Sequence, residues 1–221
     1  MALQVKICGI TSADAADAAL RAGADFAGLV FHRNSPRNLS RERAAELAQR
    51  MRGRIRLVAL LSEPNDDDIA AAMAAANPDF IQLHGRESPE RVAAIKTRTG
   101  KEIIKVVAIA EAADFAPVPS YENVADMLLF DARPPQSATR EGGHGAPFDW
   151  QLLRGRTFRR PWLLAGGLNP ENVARAIRTS EAPGVDVSSG VETAPGVKDP
   201  HLIRSFIANA RSATFAEQDR T

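Results

Sequence analysis

Short apolar runs recur along the chain, and the segments between them carry apolar residues at helical spacing. The runs are Leu3–Cys8, Phe26–Phe31, Leu57–Leu61, Phe80–His84, Ile103–Ala108, Met127–Asp131, Trp162–Ala165 and Val185–Ser188. They are rich in Val, Ile and Leu and mostly continuous in apolar character, as expected of strands covered on both faces. The segments between them bring start and stop signals. Ser12–Ala22 opens behind Thr11 and stops at Gly23, Ser40–Met51 opens on a serine, and Asp66–Ala76 ends before Asn77-Pro78. Ser88–Thr99 opens Ser-Pro-Glu and closes at Gly100, Asn169–Arg178 opens Asn-Pro-Glu, and Asp199–Arg211 is the last. Two helices read weakly. Glu111–Phe115 is short and runs into Pro117 and Pro119, and the stretch from Asp131 to Pro147 is polar.

Strand followed by helix, repeated about eight times, predicts a parallel sheet with helices outside it. Eight units predict closure into a (β/α)8 TIM barrel rather than an open sheet. With no linker and no low-complexity stretch, residues 1–221 read as a single domain whose tail frays after about residue 211.

Composition then excludes function classes. The 44% hydrophobic share of 221 residues suffices for one sizeable core. A net charge of +1 without sign asymmetry, and only 5% aromatics, argue against nucleic acid or a membrane surface as partner. One cysteine precludes an intrachain disulfide and agrees with a reducing compartment. The first residues enter strand-like sequence without a secretory signal pattern, so a cytoplasmic location is expected. The oligomeric state, monomer or homodimer, is not written in the pattern.

In such barrels the site lies at the C-terminal ends of the strands. The residues there are Cys8-Gly9, Phe31 to Arg37, His84-Gly85, Asp131, Gly166-Gly167 and Ser188-Ser189-Gly190. Gly166 and Gly167 after strand seven, with Ser188, Ser189 and Gly190 after strand eight, suit a phosphate. Glycines let backbone N–H groups approach closely, and hydroxyls add donors. Cys8 is either a small buried hydrophobe or a catalytic thiol; Lys6 shares its strand face, and an ammonium there favours thiolate. Asp131 ends an otherwise apolar strand, either as a loop cap or as a general acid raised by apolar walls. Arg33 reads as a solvated loop cation. Asp66-Asp67-Asp68 open a helix, where the dipole explains them without a metal. No His or Cys spacing forms a metal site.

Five segments carry a family resemblance. They are Lys6-Ile7-Cys8-Gly9-Ile10-Thr11, Phe80-Ile81-Gln82-Leu83-His84-Gly85, Leu128-Leu129-Phe130-Asp131, Leu164 to Val173, and Asp186-Val187-Ser188-Ser189-Gly190-Val191-Glu192. Together with Ser35-Pro36-Arg37 and Phe148-Asp149-Trp150, in this order, the chain resembles the phosphoribosylanthranilate isomerases of tryptophan biosynthesis. The resemblance implies a cofactor-free Amadori rearrangement of a small phosphoribosyl substrate. It implies Cys8 as general base at the ribose C2 and Asp131 as general acid at the furanose oxygen. It also implies Arg37 on the anthranilate carboxylate, a phosphate between Gly166, Gly167, Ser188 and Ser189, and Asp186, Gln82 and His84 near the sugar.

The chain departs from the family where its Gly-Gly-Thr-Gly loop would fall. Here the loop reads Gly142-Gly143-His144-Gly145, which keeps a lid's glycines and introduces a histidine that titrates near neutrality. Two competing readings use the same barrel. A histidine-pathway isomerase would be expected to end strand one on aspartate, where this chain has Cys8. A non-catalytic phosphoribosyl binder would not need both Cys8 and Asp131.

Overall fold

In the computed structural model, residues 2–133 and 148–218 are described, with side chains to residue 213. His144 and its flanking glycines lie outside the described residues. Eight strands run β1 Gln4–Cys8, β2 Phe26–Val30, β3 Arg56–Leu61, β4 Phe80–Leu83, β5 Glu102–Ile109, β6 Met127–Ala132, β7 Trp162–Leu164 and β8 Gly184–Val187. They pair in sequence order, all parallel, and β8 closes onto β1. A parallel sheet needs a crossover after each strand, and helices α1 Ala13–Ala22, α2 Arg41–Met51, α3 Asp66–Ala76 and α4 Pro89–Thr99 supply the first four.

Their ends follow the residues that the sequence offers. Ser12, Ser40, Asn65 and Ser88 each accept the N–H three residues on, so orphan donors at each helix start are satisfied. Gly23 and Gly100 end α1 and α4 in the left-handed conformation that glycine adopts freely.

Strand periodicity splits the core in two. Phe26, Val58, Phe80, Ile104, Val106, Met127, Leu129, Leu163 and Ala165 form one cluster that fills the barrel. Residues of the opposite parity, such as Val5, Ile7, Leu29, Leu128 and Phe130, pack outward against the helices. Cys8, Gln82, Asp131 and Asp186 share the inward parity of the first cluster. Sequence position alone therefore aims them at the barrel mouth.

The opposite end of the barrel repeats one device. Asp25, Asp79 and Asp126 stand immediately before β2, β4 and β6. Their Oδ2 atoms accept the backbone N–H of Val5, Leu57 and Ile103, at 2.7, 2.7 and 2.9 Å. Each carboxylate thus clips an even strand to the strand before it. Arg211 pairs with Asp25, and Lys96 with Asp126.

Four elements depart from the sequence expectation. The weak fifth crossover is a 3-10 turn over Ala112–Phe115 and a one-turn helix α5 Val118–Glu122, because Pro117 and Pro119 fall inside it. After β6 only a 3-10 turn, Trp150–Leu153, is described, and Phe115, Phe130, Phe158 and Trp162 stack there to cover the barrel wall. Helix α6 spans Val173–Ser180 and starts four residues later than Asn169. Asn169 instead forms a turn, its Oδ1 accepting the N–H groups of Glu171 and Asn172. A hairpin, β9 Glu192–Ala194 and β10 Val197–Lys198, turns at Pro195-Gly196 and was not anticipated. Helix α7, Pro200–Gln218, closes the described residues. Among the described residues no helix is long and apolar enough to cross a membrane.

Candidate active site

One cavity opens at the C-terminal ends of the strands. Cys8, Arg37, Gln82, His84, Asp131, Gly166, Gly167, Asp186, Ser188 and Ser189 all line it. Of the residues expected there, Gly190 stays outside. It is instead pressed against the Leu168 carbonyl, where a Cβ would stand 1.9 Å away. Its role is to let the strand-eight loop lie on the strand-seven loop. Arg33 is exposed and does not reach the cavity. His32, Ser35 and Ser62 also line it.

Cys8 ends β1, and room for its sulfur comes from Gly28 on β2, whose absent Cβ would meet Sγ at 2.9 Å. Lys6, fully buried, donates to Asp186 Oδ1 at 2.9 Å. Burial alone would lower the Lys6 ammonium, but Asp186 and the Cys8 sulfur outweigh it and hold the ammonium charged above its ordinary range. Lys6 does favour thiolate, but burial outweighs it. Burial pushes the thiol up, Lys6 and Lys198 pull it down, Asp186 pushes it up again, and the net shift is upward. In the resting site Cys8 is a thiol chiefly because it is buried, and Asp186 adds to that.

Asp131 ends β6 on the far wall. Its Oδ1 accepts the Ala132 N–H at 2.8 Å and its Oδ2 faces His84 Nε2 at 3.3 Å. The walls around this carboxyl are therefore part polar, not apolar as expected from the run that precedes it. His84 Nδ1 in turn lies 3.5 Å from Gln82 Nε2. Gln82 Oε1 is buried and meets no donor. An unmet buried acceptor costs roughly 1–3 kcal/mol, which a ligand hydroxyl would recover.

Beneath His84 lies a buried pair that the sequence reading missed. Lys105, on the outward face of β5, donates to the Leu83 and Gly85 carbonyls at 3.2 and 2.7 Å and to Glu87 at 2.8 Å. The carbonyls of both residues flanking His84 are thus gripped by one ammonium. A Lys in the middle of an apolar strand, with Glu four residues past the previous strand, was the available signal.

Arg37 reaches the cavity, but not with the free fork expected. Its Nε and Nη2 donate to the two oxygens of Glu192 at 2.7 and 2.8 Å. The Nη1 side, with the second N–H of Nη2, is left for a ligand. Gly9, at φ +75°, makes the fit, since a Cβ there would stand 2.5 Å from Arg37 Cδ. Glu192 also takes the ammonium of Lys198 at 2.7 Å. Burial pushes Glu192 up, but its two cations more than reverse that and hold it below the usual carboxylate range. Two cations share one anion here, so Lys198, pushed down first by burial, ends below its own ordinary range.

The two glycine and serine segments meet as expected. Gly166 and Gly167 adopt φ +85° and +65°, and a Cβ on Gly166 would stand 2.6 Å from the Ala132 nitrogen. Asn172 Nδ2 donates to the Gly167 carbonyl at 2.9 Å and latches this loop. Ser188 Oγ is committed to the Cys8 carbonyl at 3.2 Å. Among the described residues no group of three or more His, Cys, Asp or Glu is arranged to hold a metal ion.

Comparison with known proteins agrees with this geometry. Residues 5–209 match the family model described as N-(5'-phosphoribosyl)anthranilate (PRA) isomerase. A relative of that name from Paracoccus denitrificans is 53% identical over 210 residues, covering 95% of this chain and 98% of the relative. The crystal structure of phosphoribosyl anthranilate isomerase from Thermotoga maritima superposes with a TM-score of 0.84 at 35% identity, covering 95% and 99% of the two chains. Another such isomerase, solved with reduced 1-(o-carboxyphenylamino)-1-deoxyribulose 5-phosphate, gives 0.81 at 33% identity and the same coverage. In both sequence and fold, the chain belongs to the N-(5'-phosphoribosyl)anthranilate isomerase family of enzymes.

Proposed function

We propose that the chain converts N-(5'-phosphoribosyl)anthranilate to 1-(o-carboxyphenylamino)-1-deoxyribulose 5-phosphate, with Asp131 as general acid and Cys8 as general base. The observation that carries this reading is that Cys8 and Asp131 line one cavity between Arg37 and the glycine-serine loops. The substrate has a carboxylate at one end and a phosphate at the other. Arg37 receives the first through Nη1, and Gly166, Gly167 and Ser189 the second.

The proton inventory closes without a co-reactant. Asp131 gives its proton to the furanose oxygen, the C1–O bond breaks, and the anthranilate nitrogen supplies electrons to form an iminium at C1. That cation is one bond from C2 and acidifies its proton. It also favours thiolate at Cys8, which burial otherwise disfavours. Cys8, its own proton first lost to solvent, takes the C2 proton as thiolate. The enol-amine then loses its O–H proton and gains one at C1 to become the ketone. Exchange with solvent returns a proton to Asp131 and removes one from Cys8. Gln82 Oε1 accepts from a sugar hydroxyl, and His84 steadies Asp131.

The test is loss of anthranilate-type fluorescence when purified protein meets freshly made substrate. Turnover in the parent and its collapse in Cys8→Ala support the reading. No turnover in the parent, or near-parental turnover in Cys8→Ala, overturns it.

A further inference from the structure

One buried ammonium sits where the two anion-facing ends of the cavity meet. Lys198 ends β10, and its side chain is fully covered. Besides Glu192, its Nζ donates to the Ser188 carbonyl at 2.9 Å and to Ser188 Oγ at 3.3 Å. Glu192 holds the Nε–Nη2 edge of Arg37 and accepts the Gly196 N–H at 3.2 Å. We propose that Lys198 is a positioning residue that couples the two anion-binding ends of the site, through Glu192 to Arg37 and through Ser188 to the phosphate loop. The inference deepens the function proposed above and rests on it for the identity of the two anionic ends.

The physical case is geometric and electrostatic. A guanidinium and a carboxylate joined by two parallel hydrogen bonds share one plane. Lys198 pins one oxygen of that carboxylate, so it also fixes where Arg37 Nη1 points. An Arg–Glu pair alone would be neutral and would attract a ligand anion weakly. Arg37, Lys198 and Glu192 together carry a net charge of one positive unit in a water-poor site. Arg37 and Ser188 carry its influence to the cavity wall, which Lys198 and Glu192 do not themselves line. The hairpin bearing Lys198 is placed for this purpose, since Gly196 lies against the Pro36 carbonyl, 2.5 Å from an added Cβ.

Cys8 reports on the arrangement. The charged groups around it are Lys6 on its own strand, Asp186 on β8 and Lys198 on the hairpin, with Arg37 lying over the adjacent Gly9. Cys8 is the only cysteine, so alkylation reads it alone.

The experiment uses Lys198→Met, Lys198→Arg and Glu192→Gln in the full chain. Each is assayed for KM and kcat, for affinity toward reduced 1-(o-carboxyphenylamino)-1-deoxyribulose 5-phosphate by calorimetry, and for iodoacetamide alkylation of Cys8 against pH. Lys198→Met is expected to raise KM and the analogue's Kd about tenfold or more, with a smaller fall in kcat. Its alkylation profile moves to higher pH, because a cation is lost. Glu192→Gln also weakens analogue binding, but its profile moves to lower pH, because an anion is lost. Lys198→Arg recovers most of both losses. A purely structural brace would not give opposite pH shifts.

Analogue affinity of Lys198→Met within about twofold of the parent overturns the proposal, and so do profiles that stay put or move together. If Lys198→Met fails to fold, Glu192→Gln decides alone: weaker analogue binding with a downward profile supports the coupling, and the absence of either overturns it. A parent that binds the analogue without turning over substrate strikes only the proposed reaction, because binding and alkylation need no turnover. A parent that does not bind the analogue overturns both.

Discussion

Aspartates stand at both ends of this barrel and do opposite work. At the N-terminal end Asp25, Asp79 and Asp126 accept strand N–H groups. At the C-terminal end Asp131 and Asp186 face a cavity and are met by side chains, His84 and Lys6. Strand polarity explains the difference. A parallel strand begins on unpaired N–H groups and ends on unpaired carbonyls. A carboxylate can only accept, so at the first end it ties two strands together, while at the second Asp131 accepts only the adjacent Ala132 N–H, through one oxygen. Cations show the mirror image, because Lys105 and Lys198 take strand-end carbonyls near the site. Acidic side chains at the mouth are thereby left for chemistry.

The sharpest way to break this comparison is to exchange effects between the two ends. Cys8→Ala and Asp131→Asn should lower kcat by about 10²–10⁴-fold, while thermal midpoints stay close to the parent's. Turnover near the parent's in either variant removes the chemical half of the contrast.

A second test uses pH. On the proposed mechanism the base is the Cys8 thiolate, and burial holds that thiol above its ordinary range. Raising pH deprotonates it, so iodoacetamide alkylation of Cys8 should speed up about tenfold per pH unit below its pKa, whereas kcat/KM also needs Asp131 protonated and does not track the thiol alone. An alkylation rate flat from about pH 6 to 8 would mean that the thiol is already ionised there and is not held above its ordinary range.

At the far end Asp126→Ala should cost about 1.5–3 kcal/mol of stability, since it strands the Ile103 N–H and loosens Lys96. Denaturant titration measures it, and kcat should stay within about twofold of the parent. A large fall in kcat would show that the two ends are not separable. The smallest effect is expected from Ser88→Ala, about 1 kcal/mol from one lost helix cap, again without change in turnover.

What the sequence could and could not reveal follows from reach. Each strand and the first four helices were legible because burial on both faces and helix caps are local in sequence. Cys8, Gln82, Asp131 and Asp186 were legible because they fall on one parity near strand ends. Helix α6 misled, since Asn169-Pro170-Glu171 reads as a helix start while Asn169 and Asn172 spend their side chains on a turn. Glu192 carried its place at the end of the Asp186–Glu192 segment as a signal, Lys198 only the Pro-Gly turn before it, and Lys105 only its presence among apolar neighbours.

By itself, then, the chain's pattern determined the eightfold repeat, its closure and the face on which each strand residue lies, because hydrophobic period and caps act over a few residues. Only the tertiary structure decided which charges meet. Arg37 and Glu192 are 155 positions apart, and Lys6 and Asp186 are 180 apart. Burial together with those partners, not residue type, sets whether Cys8 rests as thiol or thiolate and which edge of Arg37 is left for a ligand.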